Sequence, residues 1–258
     1  MIESSESENL WGYLKRLRFV EGVIRESFPE REAAAVRILD VGCGNGSQLA
    51  LPLAQRGFQV TGIDIDARSI EHAQRLAKDL PSATFVCGDV AELKAGRFEL
   101  VILSEVLEHM TEPRQLLTAS AEHLSADGVI IITVPNGYGE FEIDSRLFRL
   151  LRLQRLVDAL AKSNREVVAA TDNHESGHVQ SFTRRRLRRL FAECGLTVFR
   201  EGAASFLAGP FIGHTLARFP RFIEWNSRVT DKLPLTFASG WYFALHPARS
   251  EAAIGAAE

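Results

Sequence analysis

The chain has 258 residues, 46% hydrophobic, 24% charged and 9% aromatic, with a net charge of −3 and a pI near 6.2, which suits one large or two small globular domains. This excludes a disordered or collagen-like chain, gives no run near the ~18 apolar residues of a membrane span, leaves the polar Met1–Glu8 unlike a signal peptide and argues against a dedicated nucleic-acid binder. Three scattered cysteines, Cys43, Cys87 and Cys194, include no CxxC pair, so neither a disulfide framework nor a zinc site is indicated and a reducing, cytoplasmic setting is expected.

Leu10, Leu14, Leu17, Val20 and Ile24 recur every three or four residues and predict an amphipathic helix within residues 1–30. Apolar runs then take turns with helical stretches. The runs are Val36–Val41, Phe58–Ile63, Thr84–Cys87, Phe98–Leu103 and Val129–Val134; the helices are Ser47–Gln55, Ala67–Lys78 and Glu112–Leu124. Continuous apolar strands separated by helices predict an α/β, doubly wound, mostly parallel sheet covered on both faces. Gly137–Gln180 is too long for a simple connection. Its two leucine-rich stripes, Leu147/Leu150/Leu151 and Leu153/Leu156/Val157/Leu160, predict a two-piece helical cap over the sheet. Thr183 caps a last helix, Arg184–Cys194, which stops at Gly195. Strands are expected at Leu196–Arg200 and Trp241–Leu245. Between them, Ala203–Gly240 holds Pro210, Pro220 and Pro234 among aromatic residues, and reads as a pocket wall or a contact between two copies of the chain. The Ala/Gly-rich tail, Ala252–Glu258, is expected to fray.

The sharpest local signal is Val36-Arg-Ile-Leu-Asp-Val-Gly-Cys-Gly-Asn-Gly46, a buried strand running into Gly42, Gly44 and Gly46 and then a helix. Glycines let the backbone turn tightly and approach a ligand closely. The spacing is GxGxG, not the GxGxxG of dinucleotide binders, so pyrophosphate is not the expected ligand. The second strand ends in Gly62-Ile-Asp-Ile-Asp66, where Asp64 is placed to accept both hydroxyls of a ribose. The third ends in Cys87-Gly-Asp-Val90, where Asp89 can accept from an exocyclic amine. All three motifs fall on the carboxyl edge of the sheet, where open α/β sheets bind ligands.

Together these motifs resemble the first three of class I S-adenosylmethionine-dependent methyltransferases. Phe98–His109 and Leu124–Thr133 resemble the fourth and fifth, and His178-Val-Gln-Ser-Phe-Thr183 a later element. The resemblance covers roughly residues 34–135 and implies S-adenosylmethionine as cofactor. On it, Gly42 and Gly44 face the methionine part, Asp64 the ribose and Asp89 the adenine amine, while Asp40 braces the loop; Asn45, Ile65, Val90 and Ser104 complete the expected cofactor set. It also implies a Rossmann-like, seven-stranded sheet with one antiparallel edge strand, Trp241–Leu245. The organisation is then an N-terminal helix (1–30), a cofactor-binding core (31–136), a cap (137–180), the last helix and strand of the core (181–202), an apolar insertion (203–240) and an edge strand with tail (241–258).

Glu105-Val-Leu-Glu-His109 follows the fourth strand, where the methyl group should sit. One helical turn would put Glu105, Glu108 and His109 on one face. Two carboxylates and an imidazole can hold a divalent cation, which lowers the pKa of an acceptor hydroxyl. The pattern resembles that of ubiquinone-biosynthesis O-methyltransferases and of small-RNA 3′-terminal 2′-O-methyltransferases, where a later His completes a magnesium site; His178 stands at that place. The alternatives are Glu105, His109 and His178 acting on substrate or cofactor without metal, or a purely structural turn.

Arg184, Arg185, Arg186, Arg188 and Arg189 crowd one helix, either as a solvated face or as a grip on phosphates or an anionic membrane. Phe141, Phe206, Phe211, Trp225 and Trp241 are expected to line an apolar pocket. The function expected is O-methylation of a small or lipid-like acceptor (metabolite, quinone-type or glycan-linked), with peripheral lipid contact and a homodimer among the possible partnerships. Its rivals are an RNA 2′-O-methyltransferase, against which the acidic balance counts, and a non-catalytic cofactor-binding subunit.

Overall fold

A computed structural model describes residues 9, 12–137, 179–207, 216 and 219–248. It contains helices α1 (Tyr13–Ser27), α2 (Ala50–Gln55), α3 (Ala67–Leu76), α4 (Pro113–Ala121), α5 (Arg184–Glu193) and α6 (Pro220–Thr230). The strands are β1 (Arg37–Val41), β2 (Gln59–Asp64), β3 (Ala83–Cys87), β4 (Phe98–Ser104), β5 (Leu124–Pro135), β6 (Leu196–Ala203) and β7 (Gly240–Pro247).

The period-2 pleat explains the continuous apolar runs. In β4, Leu100 and Ile102 join one buried cluster while Val101 and Leu103 join the other. The first cluster packs Val20 and Val23 of α1, Leu51 and Leu53 of α2 and Ile70 of α3 against the sheet. The second packs Leu117 of α4 with Leu187 and Phe191 of α5 on the opposite face. With both faces covered, every position from Leu100 to Leu103 is fully buried.

The strands form one seven-stranded sheet in the order β3-β2-β1-β4-β5-β7-β6. β1 to β5 are parallel, and β7 is antiparallel to both β5 and β6. The expected α/β fold is observed, with one correction: the antiparallel strand Trp241–Leu245 is not at the edge. It lies between β5 and β6, its Phe243 and Leu245 fully buried, and β6 takes the edge. The chain runs outward from β1 through β2 to β3, then returns so that β4 lies on the other side of β1. This switch opens a crevice at the carboxyl ends of β1 and β4.

Local signals set most of the boundaries. Asp66 caps α3 by accepting from the Arg68 and Ser69 amides, and Thr183 caps α5 by accepting from the Arg186 amide. Gly195, at φ +68°, ends the turn after α5. Two expectations need adjustment. The helix predicted from Ser47 begins at Ala50, after turns through the glycine loop, and the 203–240 insertion contains α6. The cap beyond Gly137 and the tail lie outside the described residues. No described helix is long and apolar enough to cross a membrane.

Candidate active site

The glycine loop meets three different demands. Gly42 (φ +70°) is a close approach, since a Cβ there would sit 2.6 Å from Val106 Cγ2. Gly46 (φ +75°) is closed in the same way by the Phe85 ring. Gly44 (φ +54°) differs: a Cβ there would meet nothing within 4 Å, so its open side faces the crevice. Asp64 ties the loop to β2. Its Oδ2 accepts from the Gly44 amide at 2.8 Å and its Oδ1 from the Asp66 amide at 2.9 Å. Each carboxylate oxygen keeps a further lone pair for a ligand hydroxyl.

Asp40 is buried beneath the loop and accepts from the Ala50 amide at the start of α2. Burial first, and the nearby Asp64 carboxylate second, push its pKa up to about 7. This bond ties β1 to the first residue of α2 and occupies the helix end itself. Ile65, beside Asp64, is 79% exposed, an apolar platform next to the carboxylate. Asp89 caps the short turn Val90–Glu92, accepting from the Ala91 amide at 2.9 Å, and Val90 is buried. Asn45 accepts from the Ser47 amide and hydroxyl, which makes it a loop-forming residue in this arrangement.

Across the crevice the side chains come from four separate segments. Arg16, buried on α1, donates to Ser104 Oγ at 3.0 Å; Ser104 meets Thr133 Oγ1 at 3.0 Å; Thr133 donates to Glu105 Oε1 at 2.7 Å. Arg16 Nη2 also stands 3.5 Å from Glu105 Oε1. A single line of donors thus ends on one carboxylate, each bond polarising the next. Glu105 has φ +56°, the one described non-glycine residue in the left-handed region, a conformation that costs of order 1 kcal/mol. Its amide is anchored to the Thr133 carbonyl at 2.9 Å.

That backbone turn corrects the expected single face of Glu105, Glu108 and His109. Leu107–His109 is one 3-10 turn, and Glu105 precedes it with its carboxylate pointing back to Thr133 and Arg16. Glu108 is buried, and burial first, then the charge of Glu105, push its pKa up to about 9. His109 Nε2 is 3.9 Å from Glu108 Oε1. Among the described residues no group of three or more His, Cys, Asp or Glu side chains is arranged to hold a metal ion. His178 lies outside them, as do Phe141 and Phe211. Val179 and Gln180 donate their amides to the Glu108 carbonyl at 3.0 and 3.2 Å, so this turn is stapled to a distant part of the chain.

Two expected lining residues do other work. Trp241 is buried and donates from Nε1 to the Leu235 carbonyl at 2.7 Å, and Trp225 stands on the surface of α6. The arginines of α5 are largely matched: Arg184 and Arg188 bridge Glu201, Arg189 bridges Glu193 at 2.9 Å, and Arg186 donates to Gln180 at 2.8 Å. Sequence reading missed Arg16 and Thr133. Arg16 is one of three basic residues in Lys15-Arg-Leu-Arg18, and Thr133 ends an apolar strand, so only a polar residue at that strand end signalled anything.

The profile of a methyltransferase domain matches residues 12–201. Over 107 residues the chain is 36% identical to the ubiquinone biosynthesis O-methyltransferase of Rickettsia canadensis, covering 41% of this chain and 45% of that protein. It is 37% identical, again over 107 residues, to the trans-aconitate 2-methyltransferase of Deinococcus radiodurans, covering 42% and 40%. The chain therefore spans less than half the length of each of these curated relatives. In three dimensions it is similar to the magnesium protoporphyrin IX methyltransferase of Synechocystis, crystallised with bound SAH, at TM-score 0.53 and 18% identity over 90% of this chain and 83% of that one. An S-adenosylmethionine-dependent methyltransferase from Clostridium acetobutylicum gives TM-score 0.58 and 12% identity over 92% of both chains. At these identities the structural likeness is one of fold.

Proposed function

The chain belongs to the methyltransferase domain family, and from that premise we propose that it methylates a hydroxyl oxygen of a small or lipid-like acceptor. The observation that carries the oxygen assignment is Glu105, held in a left-handed conformation by Thr133 and Arg16 at the carboxyl end of β4. The matched stretches of the ubiquinone and trans-aconitate enzymes support a small acceptor.

The crevice fits S-adenosylmethionine on its own features. Gly44 leaves open space beside the loop, Asp64 offers a carboxylate for the ribose and Ile65 an apolar platform for the base. Asp89 stands at the end of the third strand for the adenine amine. Arg16, whose Nε has no hydrogen-bond partner among the described residues, offers positive charge to a carboxylate. When bound, the cofactor supplies a sulfonium methyl group open to displacement. The chain's own work is then orientation and proton removal. Thr133 and Arg16 hold Oε1 of Glu105, which turns Oε2 to the acceptor hydroxyl. Glu105 takes the hydroxyl proton, and His109, partly exposed on the next turn, passes it toward solvent. This route assigns the proton to Glu105 and His109, and the EDTA arm of the test below decides whether a cation takes part.

The test is label transfer. Pure protein is incubated with methyl-labelled S-adenosylmethionine and cell extract, with and without EDTA, and the small-molecule, lipid and RNA fractions are counted. EDTA-resistant label in the organic fraction, lost in Glu105→Gln, is the expected result. Label confined to RNA overturns the small-acceptor reading, and loss of label with EDTA restores the magnesium site.

A further inference from the structure

Helix α6 is built inside out. Its buried positions are polar: Asn226, Ser227 and Thr230. Asn226 pairs with the backbone of Leu207 through both amide atoms, accepting from its N–H at 2.8 Å and donating to its carbonyl at 2.7 Å. Thr230 donates back to the Asn226 carbonyl at 2.8 Å. Lys15 of α1 donates to the Ser227 carbonyl at 2.9 Å and reaches Asp231 at 2.7 Å. Hydrogen bonds thus hold the helix down, where most surface helices use an apolar stripe.

The apolar stripe faces outward instead. Trp225 and Phe219 are each 49% exposed, and Phe237, on the connection to β7, is 55% exposed. The Phe222 ring lies 5.8 Å from that of Trp225. Basic residues border the aromatics. Arg228 bridges Glu224 at 3.5 Å and Asp231 is taken by Lys15, whereas Arg221 and Lys232 have no ion-pair partner among the described residues. The uncompensated charge of this surface is positive on a chain whose net charge is −3.

The stripe shares the rim of the sheet with the candidate active site. β7 begins at Gly240, opposite Pro135 at the carboxyl end of β5, and the Asn136 side chain donates to the Thr236 and Ala238 carbonyls just before it. Lys15, which anchors α6, precedes Arg16, which reaches Ser104 and Glu105.

We propose that α6 and the Phe237 turn form a docking surface for an anionic lipid bilayer. Aromatic side chains with basic neighbours suit the interface, where rings enter the acyl boundary and cations meet phosphates. A second copy of the chain fits less well, because a two-fold contact through this face brings Arg221 and Lys232 toward their own kind. The surface is argued from exposure and charge; its service to a lipid-like acceptor rests on the reading of the previous subsection.

The experiment is co-sedimentation of the full chain with vesicles of phosphatidylcholine alone or with about a third phosphatidylglycerol, beside calorimetry with S-adenosylmethionine. The bound fraction is expected to rise several-fold on anionic vesicles. It should fall by roughly fivefold in Trp225→Ser and again in the Arg221→Glu/Lys232→Glu pair, with melting temperature and cofactor binding unchanged. Wild-type protein that ignores anionic vesicles, or a Trp225→Ser protein that binds like wild type, overturns the proposal. A dimer in light scattering that Trp225→Ser dissociates also overturns it, because the face then serves a second copy. Cofactor binding without vesicle binding removes only this surface. Vesicle binding without cofactor binding removes the methyltransferase reading and leaves the surface standing.

Discussion

The two sides of the crevice are made by different means. On the β1–β2 side, geometry is written into the backbone: glycines at φ +70°, +54° and +75° and one aspartate bonded to two amides, all within 25 residues of chain. On the β4–β5 side, geometry is assembled from side chains. Arg16, Ser104, Glu105 and Thr133 come from a helix, a strand end, a strained turn and a second strand. A side built from backbone resists change at its glycines and tolerates change elsewhere. One built from a line of donors depends on every member of the line.

The largest effect separates two neighbouring glycines. Gly42→Ala adds left-handed strain to a Cβ 2.6 Å from Val106 Cγ2, and should lower stability by about 3 kcal/mol. Gly44→Ala carries the strain alone, about 1 kcal/mol, since nothing lies within 4 Å. Its methyl group enters the space assigned to the cofactor, so its larger loss should be in affinity for S-adenosylmethionine. Urea melts and calorimetry read the two quantities separately. Equal destabilisation with equal affinity would remove the distinction between a closed and an open side of the loop.

Asp40 offers a test through pH. Its folded pKa, about 7, lies above the ordinary aspartate value of 3.8, so the native state holds the proton more tightly than the unfolded chain. That contribution is complete below about pH 4 and is lost as pH rises through about 7. Asp40→Asn keeps an acceptor for the Ala50 amide and carries no charge at any pH. Between pH 4.5 and 7 the wild type should therefore lose about 3 kcal/mol relative to Asp40→Asn in urea melts. Parallel profiles would mean that Asp40 ionises as freely in the folded protein as in the unfolded one.

The contrast also explains how much was legible in advance. Strand runs and the glycine, Gly62–Asp66 and Gly88–Asp89 turns could be read because each encodes a local backbone need. The Glu105–His109 turn was misread because spacing alone predicts a helical face, whereas the anchoring of the Glu105 amide to the Thr133 carbonyl bends the chain into a left-handed residue first. Arg16 became visible only when α1 was packed on the sheet. The strand Trp241–Leu245 was recognised but assigned to the edge, since nothing in an apolar run says whether one neighbour or two will pair with it. In α6, Trp225, expected to line a pocket, faces outward because Asn226 and Ser227 have partners inside.

Thr133 tests the dependence of the acceptor side on its line of donors. It is fully buried, shares its hydroxyl with Ser104 and is the closest donor to Glu105. Thr133→Val keeps the shape and deletes the donor, leaving both Ser104 and Glu105 with Arg16 alone. The expected loss is about tenfold in kcat/KM, or roughly 1.4 kcal/mol, as for one hydrogen bond to a charged group. It should fall on kcat, because the bond orients the base and lies apart from the glycine loop, Asp64 and Ile65 on the β1–β2 side. Thr133→Ser restores the hydroxyl and should recover most of the activity, which a purely packing role would not allow. Affinity for S-adenosylmethionine should stay at the wild-type value in both variants. If it falls together with kcat in Thr133→Val and returns in Thr133→Ser, the donors reach across the crevice through Arg16, and the two sides act as one unit.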